Sequence, residues 1–281
     1  MTMPASSSST VLDYFMESEE EVFRLDVKTD PGAVKRQALW AGVKPGMRIL
    51  DAGCGSGKTT AILQSLVGPN GSVVGIDFSK NRIEYAKKHY EKKGITFILG
   101  DIRDPLDDLG MFDLVWVRFV LEYYRSNAFE IVKNLSKVVK PGGILCLIDL
   151  DHNCLNYFGL PERLEKTIRQ IIEILMEKFN FDPYAGRKLY SYLFDLGYES
   201  IEINLEAHHL IYGNITSADA YNWTMKLITI SKKIQFNFSE YGNGYESFMK
   251  EALTFLSNPR RFIYTPVIMA KGFKPSSGST L

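Results

Sequence analysis

Only three cysteines occur in the 281 residues, Cys54, Cys146 and Cys154, and no two of them stand in Cys-x-x-Cys spacing. An odd set without that spacing predicts a reducing compartment and gives no support for a zinc site, so no metal is expected. Charge of neither sign is in excess, with 33 Lys and Arg against 33 Asp and Glu. A surface that tracks nucleic-acid phosphates carries a basic surplus, so no nucleic-acid partner is expected. The longest apolar stretches are strand-sized, short of the ~20 residues that cross a bilayer, and predict no membrane span. The opening MTMPASSSST lacks a basic stretch followed by an apolar one, so it does not read as a secretory signal. The expectation is a soluble, cytoplasmic chain. No repeat of solenoid length recurs, and 45% apolar with 23% charged residues excludes disorder and coiled coil.

What the sequence does have is alternation. MRILDAG, SVVGID, ITFILGD, FDLVWV and ILCLIDL are short apolar segments that read as strands. Between them lie helical patterns: KTTAILQSLV, a helix capped by Ser79 with Ile83, Ala86 and Tyr90 inward, and one opened by a capping box of Asn127 and Glu130. Strands apolar throughout and separated by helices predict a parallel sheet covered on both faces. An earlier helix is expected over Val11–Asp26. KPGG reads as a turn before the fifth strand. In the second half, helices are expected over Pro161–Phe179 and Gly186–Leu196, then from Thr216 through Ile230 and around Phe248 to Phe255. The strand IEINLEA precedes the last two of these, and a final strand, VIMAKGF, starts just after Pro266.

The informative segment is ILDAGCGSGKTT, where the first strand hands over to a helix. Gly53, Gly55 and Gly57 allow a sharp turn and a close approach of backbone to ligand. In an open parallel sheet the carboxyl ends of the strands line the ligand crevice. Three of those ends carry acids: Asp51, Asp77 and Asp101. Asp77 is placed to accept ribose hydroxyls and Asp101 an adenine amino group. These segments, with VVGID, LGDI, FDLVWV and KPGG in this order over Met47 to Asp149, resemble the motifs of class I S-adenosylmethionine-dependent methyltransferases. The resemblance implies an α/β, Rossmann-like seven-stranded sheet, mostly parallel with the last strand antiparallel, plus helical insertions. It also implies S-adenosyl-L-methionine as cofactor. Asp51 then faces the methionine part, and Gly53, Cys54 and Gly55 pass under the cofactor. Asp77 holds the ribose, Phe78 packs on adenine, Asp101 and Ile102 cover its edge and face, and Arg118 stands beside the methionine moiety.

Two other nucleotide folds compete for the glycine loop. A P-loop running from Ala52 to Thr59 has Ala52 where the strict form needs glycine, and a nicotinamide-binding loop has Lys58 in place of its third glycine. The P-loop reading and a cofactor-binding sensor without transfer activity stand as alternatives to a methyltransferase. The stretch WVRFVLEYY lacks the Asn/Asp-Pro-Pro-Tyr/Phe of DNA adenine enzymes, and no cysteine follows a proline as in cytosine enzymes. The expected acceptor is a small, apolar or aromatic molecule held by the aromatic-rich insertions. His152 is the first candidate proton acceptor, with Glu122 and Tyr123 as alternatives, while His208 and His209 read as structural. Arg24 is placed to reach the cofactor carboxylate, with Tyr14 as a lid residue. The expected organisation is a cap segment over 1–45, a cofactor-binding core over 46–150, acceptor-forming insertions over 151–273 and a flexible tail over 274–281. The sequence leaves the oligomeric state open.

Overall fold

Eight strands make one sheet in this computed structural model, which describes residues 21–276. They are β1 (Arg48–Ala52), β2 (Ser72–Asp77), β3 (Ile95–Leu99), β4 (Phe112–Arg118), β5 (Val139–Leu150), β6 (Tyr157–Phe158), β7 (Glu199–Ile211) and β8 (Phe262–Phe273). The order runs β3-β2-β1-β4-β5-β8, with β7 and the two-residue β6 both pairing with β8. All pairings among β1 to β5 are parallel, and β8 is antiparallel to β5, β6 and β7. Seven long strands with a reversed last one are the architecture the sequence predicts, and β6 is a small addition. The chain moves outward from β1 through β2 to β3, then returns to place β4 on the other side of β1. That reversal opens a crevice beyond the carboxyl ends of β1 and β4.

The helices are α1 (Glu21–Lys28), α2 (Pro31–Ala41), α3 (Lys58–Val67), α4 (Lys80–Tyr90), α5 (Ala128–Lys137), α6 (Glu162–Lys178), α7 (Leu189–Asp195), α8 (Ser217–Ile234) and α9 (Tyr245–Ser257). Alternation along each central strand divides the core between two faces. On one, Ile49, Leu114, Trp116 and Cys146 meet Ala38 of α2 and Leu63 of α3. On the other, Leu50, Val115, Val117 and Leu145 meet Val132 and Leu135 of α5 and Leu189 and Leu193 of α7. A separate cluster beyond the sheet joins α6, α8 and α9 through Leu164, Leu175, Trp223, Ile230, Phe248 and Phe255.

Several boundaries differ from the sequence reading. Asn127 makes no side-chain cap to α5; its Oδ1 accepts instead from Asn180 Nδ2 at 3.4 Å. Pro266 lies inside β8 rather than ahead of it, at the point where pairing with β5 ends at Leu150↔Val267 and pairing with β7 continues. A missing N–H costs least there. The segment KPGG continues β5, because Gly142 N donates to Lys274 O and Lys274 N to Gly143 O, each at 2.8 Å. The helix expected over Gly186–Leu196 begins as a 3-10 turn over Gly186–Lys188. Of the helix expected over Val11–Asp26, the first ten residues lie outside the described part, and α1 continues to Lys28.

Candidate active site

A cleft opens at the carboxyl ends of β1, β2 and β4, walled by α1 on one side. Its floor is the loop after β1. Gly53 adopts φ 77°, and a Cβ there would stand 2.5 Å from Val120 Cγ2. Gly57, at φ 85°, fits only because no Cβ meets Ala86 and Phe97, at 2.7 and 2.8 Å. The amides of Gly53 and Cys54 both donate to Ile76 O, at 2.8 and 3.0 Å, which ties the loop to the end of β2. The glycines therefore serve backbone packing as well as access.

Asp77 is buried at the end of β2 and organises its surroundings. Its Oδ2 accepts from Gly55 N at 3.0 Å, and its Oδ1 from Ser79 N at 3.0 Å. Arg82 Nη1 approaches Oδ2 at 3.4 Å. A carboxylate offers about four lone-pair sites, so three donors leave acceptor capacity on the cleft side. Phe78 is 37% exposed on the cleft wall, with the Arg82 guanidinium 4.9 Å from its ring centroid. Ile102 and Tyr124 line the same end.

Asp51 and Arg118 occupy the other end. Asp51 is buried under the loop rather than on the cleft wall, and its Oδ2 accepts from Thr60 Oγ1 at 2.6 Å. Burial pushes its carboxyl up to about 7, against the pull of Thr60 and Arg118. Arg118 does line the cleft, with Nε donating to Gln37 Oε1 at 2.9 Å and its guanidinium 4.0 Å from the Phe119 ring centroid.

The remaining residues singled out from sequence fall into two groups. Gly53, Cys54, Gly55, Asp77, Phe78, Ile102, Arg118 and Tyr123 come together around the cleft. Asp101, Arg24, Glu122 and His152 do not line it. Asp101 makes a bidentate pair with Arg103. Arg24 is buried between Glu21 and Asn222, with 2.7 Å contacts to each. Glu122 points the other way from its neighbour Tyr123 in a short 3-10 turn and accepts from Asn153 Nδ2 at 2.6 Å. His152 has φ 49°, and its ring packs edge-on against Tyr184, 5.2 Å away. Tyr14 lies outside the described residues.

Residues that sequence reasoning missed include Leu25, Lys28 and Thr29 of the α1 wall, and Phe119 and Val120 after β4. Lys28 is one helical turn beyond Arg24 on the same face, and the Glu21–Arg24 spacing of three is the signal by which a neutralised Arg24 could have been read. Burial, reinforced by the charge of Arg24, pushes Lys28 down to about 7. Lys58, the residue a P-loop would aim at phosphates, donates to Asp26 O at 2.7 Å and fastens α1 to the loop. Asp26 Oδ1 also accepts from Tyr90 OH at 2.5 Å. His208 packs on Phe119, 5.1 Å between centroids, and the His209 ring lies tilted beside it at 3.8 Å. Burial holds both rings well below the usual histidine range. Among the described residues no group of three His, Cys, Asp or Glu could hold a metal, and no helix is long and apolar enough to cross a membrane.

A methyltransferase-domain family model matches residues 43–197, more than half of the chain. The demethylmenaquinone methyltransferase of Lactococcus lactis is 37% identical over 163 residues, covering 54% of this chain and 60% of that protein. Its counterpart in Staphylococcus aureus is 34% identical over 126 residues, covering 44% of this chain and 52% of that one. The chain thus spans little more than half the length of these relatives. Among solved structures, Haemonchus contortus phosphoethanolamine N-methyltransferase 2 in complex with S-adenosyl-L-methionine superposes with a TM-score of 0.57 at 15% identity, over 94% of this chain and 59% of that one. The cyclase SpnF superposes at 0.52 and 15% identity, over 88% and 82%. A likeness that joins a methyltransferase and a cyclase shows the fold alone. With more than half of its length matched by the family model, the chain belongs to the methyltransferase-domain family, of the class I S-adenosylmethionine-dependent type.

Proposed function

We propose that the cleft binds S-adenosyl-L-methionine and that the protein transfers its methyl group to a small, apolar or aromatic acceptor. The observation that carries this reading is the placement of Asp77. A buried carboxylate with remaining acceptor capacity stands beside a loop whose glycines leave its backbone open to a ligand. These residues fit the cofactor: Asp77 accepts from ribose hydroxyls, Phe78 and Ile102 flank the adenine, and Gly53 to Gly55 pass beneath the sugar. Lys28 and Arg118, which line the cleft, hold its carboxylate. Lys28 takes the part that the sequence suggested for Arg24.

When bound, the cofactor supplies a methyl already activated on a sulfonium, so transfer is a one-step in-line displacement. The protein's share is to orient the acceptor and exclude water, for which positioning alone corresponds to effective molarities of ~10⁵ M or more. Phe119, Val120 and Tyr123 form the wall on the acceptor side. Of the three candidate proton acceptors only Tyr123 lines the cleft, and we assign it to holding the acceptor and relaying its proton. Burial of Asp149 behind this turn raises its carboxyl well above the usual range, with the charge of Glu122 adding to the shift. The relatives' name, demethylmenaquinone methyltransferase, supports an apolar aromatic acceptor.

Equilibrium titration with S-adenosylmethionine tests the cofactor half, and formation of S-adenosylhomocysteine over a panel of phenols and quinols tests transfer. Saturable binding with turnover of at least one such acceptor is expected. Binding without turnover of any acceptor would favour a sensor role, and no binding would remove the proposal.

A further inference from the structure

Beyond the cleft, the cluster of α6, α8 and α9 encloses a second cavity lined almost wholly by apolar side chains, among them Leu164, Ile168, Ile171, Leu227 and Phe255. Its lining runs from Leu164 to Ile172 on α6 and from Trp223 to Ser231 on α8, which is about 12 Å along each helix. The space is therefore elongated. Two of the polar residues in its walls, Trp223 and Ser231, stand at opposite ends of the α8 stretch. Trp223 Nε1 and Ser231 Oγ are both buried and have no hydrogen-bond partner among the described residues. Buried donors without partners are uncommon in a packed core.

The Trp223 end leads toward the cleft. Lys226 also lines the cavity, with its ammonium 5.4 Å from the Trp223 ring centroid and Nζ 3.3 Å from Asn153 Oδ1. Asn153 in turn donates to Glu122, the neighbour of Tyr123 on the cleft wall. Lys28, across that wall, feels the charges of both Glu122 and Lys226. A short polar junction of Glu122, Asn153 and Lys226 thus separates the reacting end of the cleft from an apolar chamber.

We propose that this chamber binds the hydrocarbon chain of an amphiphilic molecule, with its polar head at Lys226 and the junction. An apolar lining drawn out along two helices, with one cation in it, fits such a molecule better than a compact ring. The proposal rests on the methyl-transfer reading only in making this amphiphile the acceptor; the chain site stands apart from it.

Calorimetric titration of the full chain with hexanoate, dodecanoate and farnesol, each below its aggregation threshold and without cofactor, tests the chamber. Saturable one-site binding is expected, with dodecanoate at least about a hundredfold tighter than hexanoate, since each buried methylene is worth roughly threefold or more. Dodecanoate alone binding would assign an acyl chain, and farnesol alone an isoprenoid; both outcomes support the site. Ile168→Trp and Leu227→Trp fill the chamber from half-buried positions and should weaken binding more than tenfold. Lys226→Met should weaken dodecanoate but leave dodecanol unchanged. As a second readout, 12-bromododecanoate should quench tryptophan fluorescence in the parent protein and not in Trp223→Phe, because Trp40 and Trp116 belong to the sheet core. No saturable binding of dodecanoate or farnesol, or quenching that persists in Trp223→Phe, overturns the proposal. Failure to bind S-adenosylmethionine with chain binding intact would count against the methyl-transfer reading alone.

Discussion

Asp77, at the end of β2, accepts the amide of Gly55, the third residue after β1, at 3.0 Å. This one bond couples the acid that would hold the ribose to the loop that would pass beneath it. Replacing Asp77 by Ala removes the acceptor of Gly55 N, Ser79 N and Arg82 together. Each buried donor left unsatisfied costs about 1–3 kcal/mol. Asp77→Ala should therefore weaken S-adenosylmethionine binding by well over about tenfold and lower the midpoint of urea denaturation. Asp77→Asn keeps one acceptor oxygen and should be milder in both. Unchanged cofactor affinity in Asp77→Ala, measured by calorimetry, would contradict the ribose role.

Gly53 and Gly55 share left-handed backbone but differ in surroundings. A Cβ at Gly53 would lie 2.5 Å from Val120 Cγ2, whereas one at Gly55 would meet only Leu25 Cδ1, at 3.5 Å. Both alanine variants carry the left-handed penalty of about 1–2 kcal/mol. Gly53→Ala adds a clash with the residue that forms the cleft wall. It should be the less stable variant in urea and should recover part of the loss when combined with Val120→Ala. Equal destabilisation by the two variants would mean that the Val120 contact is not limiting.

Much of the cofactor cleft is legible from spacing alone, because strand, glycine turn and terminal acid follow one another within short stretches. Asp77 and Gly55 are 22 residues apart, yet both are fixed by the ends of neighbouring strands. The acceptor side is less legible because it depends on local twists that residue types do not announce. Tyr123 and Glu122 are adjacent, and the 3-10 turn sends one to the cleft and the other to Asn153. His152 stands just past β5 as expected, but its left-handed backbone accompanies packing on Tyr184 instead. Asp101 lies two residues past the end of β3 rather than at it, and Arg103, two residues later again, takes its carboxylate.

Those placements separate the candidate proton acceptors. Tyr123→Phe removes the hydroxyl of the one residue among the three candidates, His152, Glu122 and Tyr123, that lines the cleft. It should reduce turnover by about tenfold or more, within the range of general acid–base effects, while cofactor affinity stays within about twofold. His152→Ala should leave both quantities within about twofold. The check is the rate of S-adenosylhomocysteine formation with a phenolic or quinol acceptor. The reverse pattern would move the reacting centre toward the His152 loop.

If Lys28 holds the cofactor carboxylate as proposed, binding should depend on pH. Its ammonium is pushed down from the ordinary 10.5 to about 7 by burial and by Arg24. Between about 7 and 10.5 the unfolded chain holds a proton that the folded chain has released. Stability should therefore rise with pH across that window, and Lys28→Met should flatten the rise. Binding of the cofactor carboxylate favours the charged lysine and draws the proton back. Affinity for S-adenosylmethionine should accordingly fall as pH climbs from 7 to 9, with net proton uptake visible as a dependence of the calorimetric heat on buffer ionisation enthalpy. Lys28→Met should bind more weakly at pH 6, without that proton uptake, and converge on the parent at pH 9. A parent protein whose affinity does not change over this range would place the carboxylate on Arg118 alone, away from α1.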